Sequence, residues 1–261
     1  MTAPRSYRAP VLGALGFAVF LALLEVVPRV GLVSPRFLPP TSTILRTLGG
    51  QLDEGAFWAA VGETVQGWAL GLLIAFVGGL VLGIIIGSVP LLRRLTSSTI
   101  EFLRPIPSVA LIPLAVLLFG TDIRSTLVLV VYAAFWQVLI QVLYGVADID
   151  PVADETARSY GFSRWARIRY VTWPTALPYV MTGLRLAAAV ALILAVTAEL
   201  VIGSPGLGQQ IAVAQSSHAV PLVYALVLTT GLLGVAVNVG VRLLERRLLS
   251  WHTSVRGEAS I

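Results

Sequence analysis

The chain has 261 residues, 57% of them hydrophobic and only 12% charged, with a mean hydropathy of +0.88 and a net charge of +5. An ordinary soluble domain carries about 25% charged residues, so this chain lacks the polar surface that a soluble enzyme or a DNA-binding domain needs. The length suits about six membrane spans joined by short connections.

The first apolar run, residues 10–28, is closed by Glu25 and Arg29. Its basic start resembles a signal peptide, but no small-x-small cleavage site follows, so it reads as an uncleaved first span. The segment 31–62 comes next, and Leu38-Pro39-Pro40-Thr41 marks a helix start within it. Ser42 or Thr43 is expected to cap a short amphipathic helix over 42–51. A second span is expected at 64–87, where Gly67, Gly71, Gly78, Gly79, Gly83 and Gly87 point to close helix approach. The third, 102–121, contains Pro105, Pro107 and Pro113 and reads as a broken or kinked helix whose freed carbonyls neighbours satisfy. The fourth, fifth and sixth are expected at 125–147, 183–203 and 219–241. Unpaired backbone amides are not tolerated in lipid, and short alternating strands are absent, so the runs are expected to be helices.

The arginines orient this scheme. With the N-terminus inside, 12 fall on inner segments: Arg5, Arg8, Arg93, Arg94, Arg158, Arg164, Arg167, Arg169, Arg242, Arg246, Arg247 and Arg256. Four fall outside: Arg29, Arg36, Arg46 and Arg124, while Arg104 and Arg185 lie near span ends. That excess fits cytoplasmic N- and C-termini.

The inner loop 150–174 carries most of the information. Asp150 can cap a helix that begins at Pro151, and Asp154 and Glu155 fall in its first turn. Gly161 fits the left-handed position after that helix. Ser163 can cap a second short helix, which Pro174 is expected to stop. On it Phe162, Trp165 and Ile168 recur on one face, with Arg164 and Arg167 on another. Such a hook fits a protein groove, and the same residues also fit a helix lying on anionic lipid head groups.

This segment resembles the EAA loop of ABC importer permeases, through Glu155, Thr156, Ala157, Gly161, Val171, Trp173 and Pro174. It departs from that pattern at Thr156, Val171 and Trp173. Two other stretches, Phe102 to Gly120 and Ala198-Glu-Leu-Val-Ile-Gly-Ser-Pro-Gly-Leu-Gly208, resemble the nitrate/taurine/sulfonate branch of that family, and the likeness covers Pro39 to Trp251. The resemblance implies an all-α bacterial inner-membrane protein, with one permease domain over 1–261 and the six-helix type I (MetI-like) fold. It implies a second permease copy, forming a homodimer, and two ATPase subunits docked on the loop. It also implies a periplasmic or lipid-anchored solute-binding protein and a small anion such as sulfonate, taurine or nitrate as solute. No cofactor is expected on this chain, and ATP and magnesium belong to the ATPase. Glu155, Thr156, Ala157, Gly161, Phe162, Arg164, Trp165, Arg167 and Pro174 are the expected coupling residues. Glu155 has two readings, a contact with the ATPase or a brace within the hook.

Candidate path residues are Ser108, Gln137, Gln141 and Glu199. The two glutamines, four apart, share a helix face and fit either path lining or interhelical hydrogen bonds. Glu199 fits an outer gate or a pairing near the outer head groups without solute contact. Gln66 and Asn238 are further intramembrane polar residues, Tyr132 and Trp136 read as packing, and Gln215 and His218 lie in the last outer segment.

The residues that are missing narrow the alternatives. All 18 basic residues are Arg, so there is no Lys for a P-loop or a Schiff base. There is no Cys, which excludes thiolate catalysis and disulfides, and His218 and His252 have no second metal-type ligand beside them. An ion-coupled secondary transporter would need more midplane carboxylates than Glu199. An intramembrane hydrolase would need a nucleophile and a base at span depth.

Overall fold

The computed structural model describes residues 8–250, and every element among them is helical. Arg5, Trp251, His252 and Arg256 lie outside the described residues. The order is α1 (Arg8–Arg29), α2 (Thr41–Gln51), α3 (Gly55–Ser88), α4 (Pro90–Leu103), a 3₁₀ turn (Ser108–Leu111) leading into α5 (Ile112–Phe119), and α6 (Ile123–Ala147). Then come α7 (Pro151–Ser159), α8 (Arg164–Arg167), a π turn (Ile168–Thr172), α9 (Trp173–Ile202), α10 (Leu207–Ser216) and α11 (Val220–Leu248). Five helices are long and apolar enough to cross a membrane, and α4 with 108–119, bent by 81°, supplies a sixth crossing.

Several span boundaries differ from the sequence expectation; the sixth, expected to end at 241, runs on to Leu248. The second helix begins at Gly55 rather than at residue 64 and has 34 residues. At 1.5 Å per residue it is about 51 Å long, well beyond a ~30 Å hydrocarbon core. Hydropathy drops at Glu63, but the backbone ladder does not. The third crossing begins at Pro90 rather than at 102 and breaks at 104–107. Pro107 cannot donate to the Leu103 carbonyl. The Ile106 N–H (3.2 Å) and the Tyr132 hydroxyl (2.6 Å) donate to it instead, so Tyr132 does more than pack.

The fifth helix runs without interruption from Arg164 to Ile202, so residues 183–203 are only its outer part. Pro174 does not stop it. The proline sits in the first turn of α9, just after the π turn, where the Trp173 N–H bonds the Ile168 carbonyl in i→i+5 winding and an N–H at the next position is not required.

The core lies where α6 is held between α3 and α9. Small residues recur every four positions along α3, at Gly67, Gly71, Ala75, Gly79, Gly83 and Gly87, and form a groove. Val130, Val138, Val142 and Val146 of α6, which lie on one four-residue row with Ala134, fill it. A Cβ at Gly83 would stand 2.7 Å from Val142 Cβ, and one at Gly79 2.8 Å from Val138 Cβ. These are the i±4 ridges of two helices interlocked. On the other side of α6, Gly145 meets Ala176 and Tyr179, and Gly183 of α9 meets Gln141 and Val138. The α9 face is completed by Ala187, Ala188, Ala191, Ala195 and Ala198, all buried. The Trp68 indole ties α3 to α9 by donating to the Ala188 carbonyl at 2.9 Å.

The amphipathic helix starts at Thr41, and neither Ser42 nor Thr43 caps it through its side chain. Glu25 of α1 does so instead, accepting from the Ser42 N–H (2.9 Å) and hydroxyl (2.8 Å).

Candidate functional site

The hook joins the fourth and fifth crossings. Asp150 accepts from the Val152 N–H at 2.8 Å, and Pro151 occupies the first turn. Helix α7 ends in a Schellman motif. The Phe162 N–H bonds the Ala157 carbonyl (3.0 Å), and the Gly161 N–H bonds that of Arg158 (2.9 Å). Gly161 itself has φ +75°, a left-handed backbone that a side chain would strain. Ser163 accepts from the Ala166 N–H at 3.2 Å and starts α8.

A charge clamp closes this angle. Arg167 donates to both oxygens of Asp154, at 2.7 and 2.8 Å, and Arg158 pairs with the same carboxylate at 3.2 Å. The Arg167 hydrogen bonds, more than any other influence, hold the Asp154 carboxyl below its usual range. Tyr179 of α9 donates to Asp148 at 2.8 Å and fastens the base of the hook. Arg167 therefore faces inward rather than sharing an exposed face with Arg164. The i,i+4 spacing of Asp154 and Arg158 was visible in the sequence, whereas the 13-residue separation from Arg167 carried no local signal.

The outer face of the hook is apolar and exposed. Tyr160 is 80% exposed and Trp165 74%, with Phe162 and Ile168 about half exposed beside them. Glu155 and Thr156 are exposed, and Ala157 is buried under the bend. Of the two readings of Glu155, the brace within the hook belongs to Asp154.

At the opposite end of the bundle, Glu199 is 1% exposed. Its Oε2 accepts from the Thr64 hydroxyl (2.8 Å) and the Gly208 N–H (3.0 Å), and Thr64 in turn accepts from the Leu207 N–H (2.9 Å). A Cβ on Gly206 would collide with the Glu199 carboxyl group, and one on Gly208 with the Val196 carbonyl. The glycines of the 203–208 turn are thus what lets backbone wrap a carboxylate. Ser204 and Thr126 share a hydrogen bond at 2.7 Å, joining the turn to α6. Glu199 therefore finds its partners within the protein, in Thr64 and the Gly208 backbone.

The other candidates are dispersed. Ser108 is half-buried at the start of the 3₁₀ turn. Gln137 and Gln141 are half-buried on the α6 face that meets Gly183 of α9. Gln66 is exposed. Sequence reasoning gave Arg185 no partner; it donates to both oxygens of Glu245 at 2.6 and 2.7 Å and ties α9 to α11. The two residues are 60 positions apart, so only the packing reveals the pair.

Six crossings, one of them broken, with a braced two-helix hook at one end and a glycine-wrapped carboxylate at the other, define a multi-pass helical membrane protein. Residues 79–250 match the family of binding-protein-dependent transport system inner membrane components, and the chain belongs to that family. It is 32% identical over 244 residues to the taurine transport system permease protein TauC of Escherichia coli K12, covering 92% of this chain and 89% of that protein. It is also 32% identical to the putative aliphatic sulfonates transport permease protein SsuC of Bacillus subtilis 168, over 94% of this chain and 89% of that one. The bicarbonate transport system permease protein CmpB of a Synechocystis strain is 28% identical over 91% of this chain and 87% of that one.

Among solved structures, an inward-facing form of the MetNI methionine ABC transporter matches with a TM-score of 0.57 at 22% identity, covering 73% of this chain and 98% of that one. That likeness shows the type I permease fold. The chain is a permease subunit of an ABC importer, of the nitrate/taurine/sulfonate branch, and a multi-pass inner-membrane protein rather than an enzyme.

Proposed function

We propose that this permease carries a small organic anion, of the sulfonate class, across the inner membrane, and that residues 150–174 couple it to a separate ATPase. Taurine and aliphatic sulfonates are named for two relatives that match nearly the whole chain, which supports that solute class. Two copies of this chain form the path, two ATPase subunits dock on the two hooks, and a binding protein delivers solute to the other side. ATP and magnesium are held by the ATPase, and both termini face the cytoplasm.

The observation that carries the coupling role is the union of brace and lever. The hook is clamped by Asp154 and Arg167, and α8 continues without a break into α9. A force applied at Tyr160, Phe162 or Trp165 therefore reaches the bundle through one continuous helix. Glu155, Thr156 and Arg164 flank that contact, while Ala157, Gly161, Arg167 and Pro174 set its shape. Nucleotide acts by binding free energy that differs between the inward- and outward-open states.

Gly161→Val tests this. A β-branched residue in a left-handed conformation costs about 1–2 kcal/mol or more, enough to reshape the bend while leaving the spans intact. The variant is expected to insert normally and to lose ATP-driven uptake of labelled taurine or alkanesulfonate in proteoliposomes. Uptake at the wild-type rate would reject the lever.

A further inference from the structure

The broken third crossing leaves a charged cleft that none of the roles above uses. One face of α4 carries Arg93, Ser97, Glu101 and Arg104, at intervals of three or four residues. That face lines a cavity of about 640 Å³, closed on the α6 side by Ile140 and Tyr144. Neither Arg93 nor Arg104 pairs with a carboxylate among the described residues, although Glu101 lies on the same face.

Depth makes this informative. Arg104 follows Leu103, whose carbonyl is bonded to Tyr132, and Tyr132 lies nine residues into the 25-residue α6. That places the break about 14 Å along a membrane-crossing helix. A guanidinium at such depth is costly against hydrocarbon and marks a water-filled cavity or an ion path. The proline break also stops α4 at Leu103, so Arg104 stands at the mouth of the bend, where the helix pair changes direction.

We propose that Arg104 and Arg93 form an oxyanion site on the translocation path, taking the sulfonate or carboxylate group of the solute between mid-depth and the hook end. This deepens the solute reading above and rests on it. Guanidinium groups match such oxyanions with paired, charge-assisted hydrogen bonds. Glu101, on the same face, favours solutes that also carry an ammonium group. The same oxyanion chemistry occurs in lipid phosphates, and the experiment separates the two sources.

The chain has no native Cys, so Arg104→Cys supplies a single thiol. The complete transporter carrying it, in phosphatidylcholine nanodiscs, is treated with a sulfonate-bearing and with a trimethylammonium-bearing methanethiosulfonate. Relative to each reagent's rate with a free thiol in solution, the sulfonate reagent is expected to be favoured several-fold, the preference is expected to fall when Arg93→Gln is added, and saturating taurine is expected to slow the reaction. No reaction, equal relative rates for the two reagents, a preference unchanged by Arg93→Gln, or protection that appears only when phosphatidylglycerol is added would each overturn the site. In proteoliposomes, Arg104→Gln is expected to lower taurine uptake by about tenfold or more, as for the loss of one charge-assisted contact. Arg104→Lys should retain most of it, and both variants should purify as the assembled complex in wild-type yield, which separates a lost contact from failed folding. Wild-type uptake by Arg104→Gln would also overturn the site. A wild-type transporter that takes up no sulfonate would instead reject the solute class, leaving the reagent-charge ratio to decide the cleft.

Discussion

Asp154 sits between two guanidiniums, and its carboxyl is held below the ordinary aspartate range chiefly by the hydrogen bonds from Arg167. A group whose pKa is depressed on folding contributes stability above its unfolded value, about 3.9, and loses that contribution as pH falls through the folded value. Hydrogen exchange of 151–170, corrected for intrinsic rates, should therefore be flat from neutral pH to about 4 and rise only in stronger acid. Asp154→Asn should remove that acid step and speed exchange at neutral pH; an acid step unchanged in the variant would exclude the clamp. At the far end, Glu199→Ala strands the Thr64 hydroxyl and the Gly208 N–H inside the protein. Each buried orphan costs about 1–3 kcal/mol, so the melting temperature of the purified chain should fall by several degrees. An unchanged melting temperature would mean that water replaces the carboxylate without loss.

The interlocked glycine groove of α3 and valine ridge of α6 make helix packing the strongest determinant of the bundle. Val142 is β-branched and has little rotamer freedom, so it cannot yield to a Cβ at Gly83, 2.7 Å from its own Cβ. Gly83→Ala is expected to destabilise the bundle by about 1–3 kcal/mol, the usual range for overpacking. Thermal unfolding in detergent reads this directly, and Gly62→Ala, in the same helix with open space around it, is the matched control that should hold or slightly raise the midpoint. The glycine stripe was legible in the sequence because its period is that of a helix face. So were the caps at Asp150 and Ser163 and the left-handed turn at Gly161, because each depends on two or three neighbouring residues. Helix ends within the spans were not, since hydropathy reports contact with lipid while the backbone ladder continues past it, as at Glu63. Pro174 misled for a related reason: a proline ends an α-helix, but the π turn before it changes which donor is required. Pairs such as Arg167 with Asp154 or Arg185 with Glu245 join distant positions, and only the packed bundle brings them together.

Seen whole, the molecule has two ends of different character. The hook end presents Tyr160, Phe162 and Trp165 together with Arg246 and Arg247 at the close of α11, whereas the far end carries α2, α10 and the wrapped carboxylate. The excess of arginine at the hook end supports the proposed placement of that end in the cytoplasm. The absence of native Cys makes both the orientation and the docking face measurable by single thiols. Val213→Cys on α10 is exposed and should react with an impermeant maleimide on intact cells. Arg247→Cys, exposed at the other end, should react only in inside-out vesicles. The reverse pattern would invert the topology and remove the hook from the ATPase altogether. Trp165→Cys separates orientation from docking: like Arg247→Cys it should react in inside-out vesicles lacking the ATPase, but its reaction should slow strongly once the ATPase is bound, while that of Arg247→Cys does not. A buried aromatic anchor at the centre of an interface loses solvent access, whereas rim and lipid-facing positions keep theirs. Equal reactivity of Trp165→Cys with and without ATPase would leave the apolar face of the hook to the lipid head groups, and the lever would have nothing to push it.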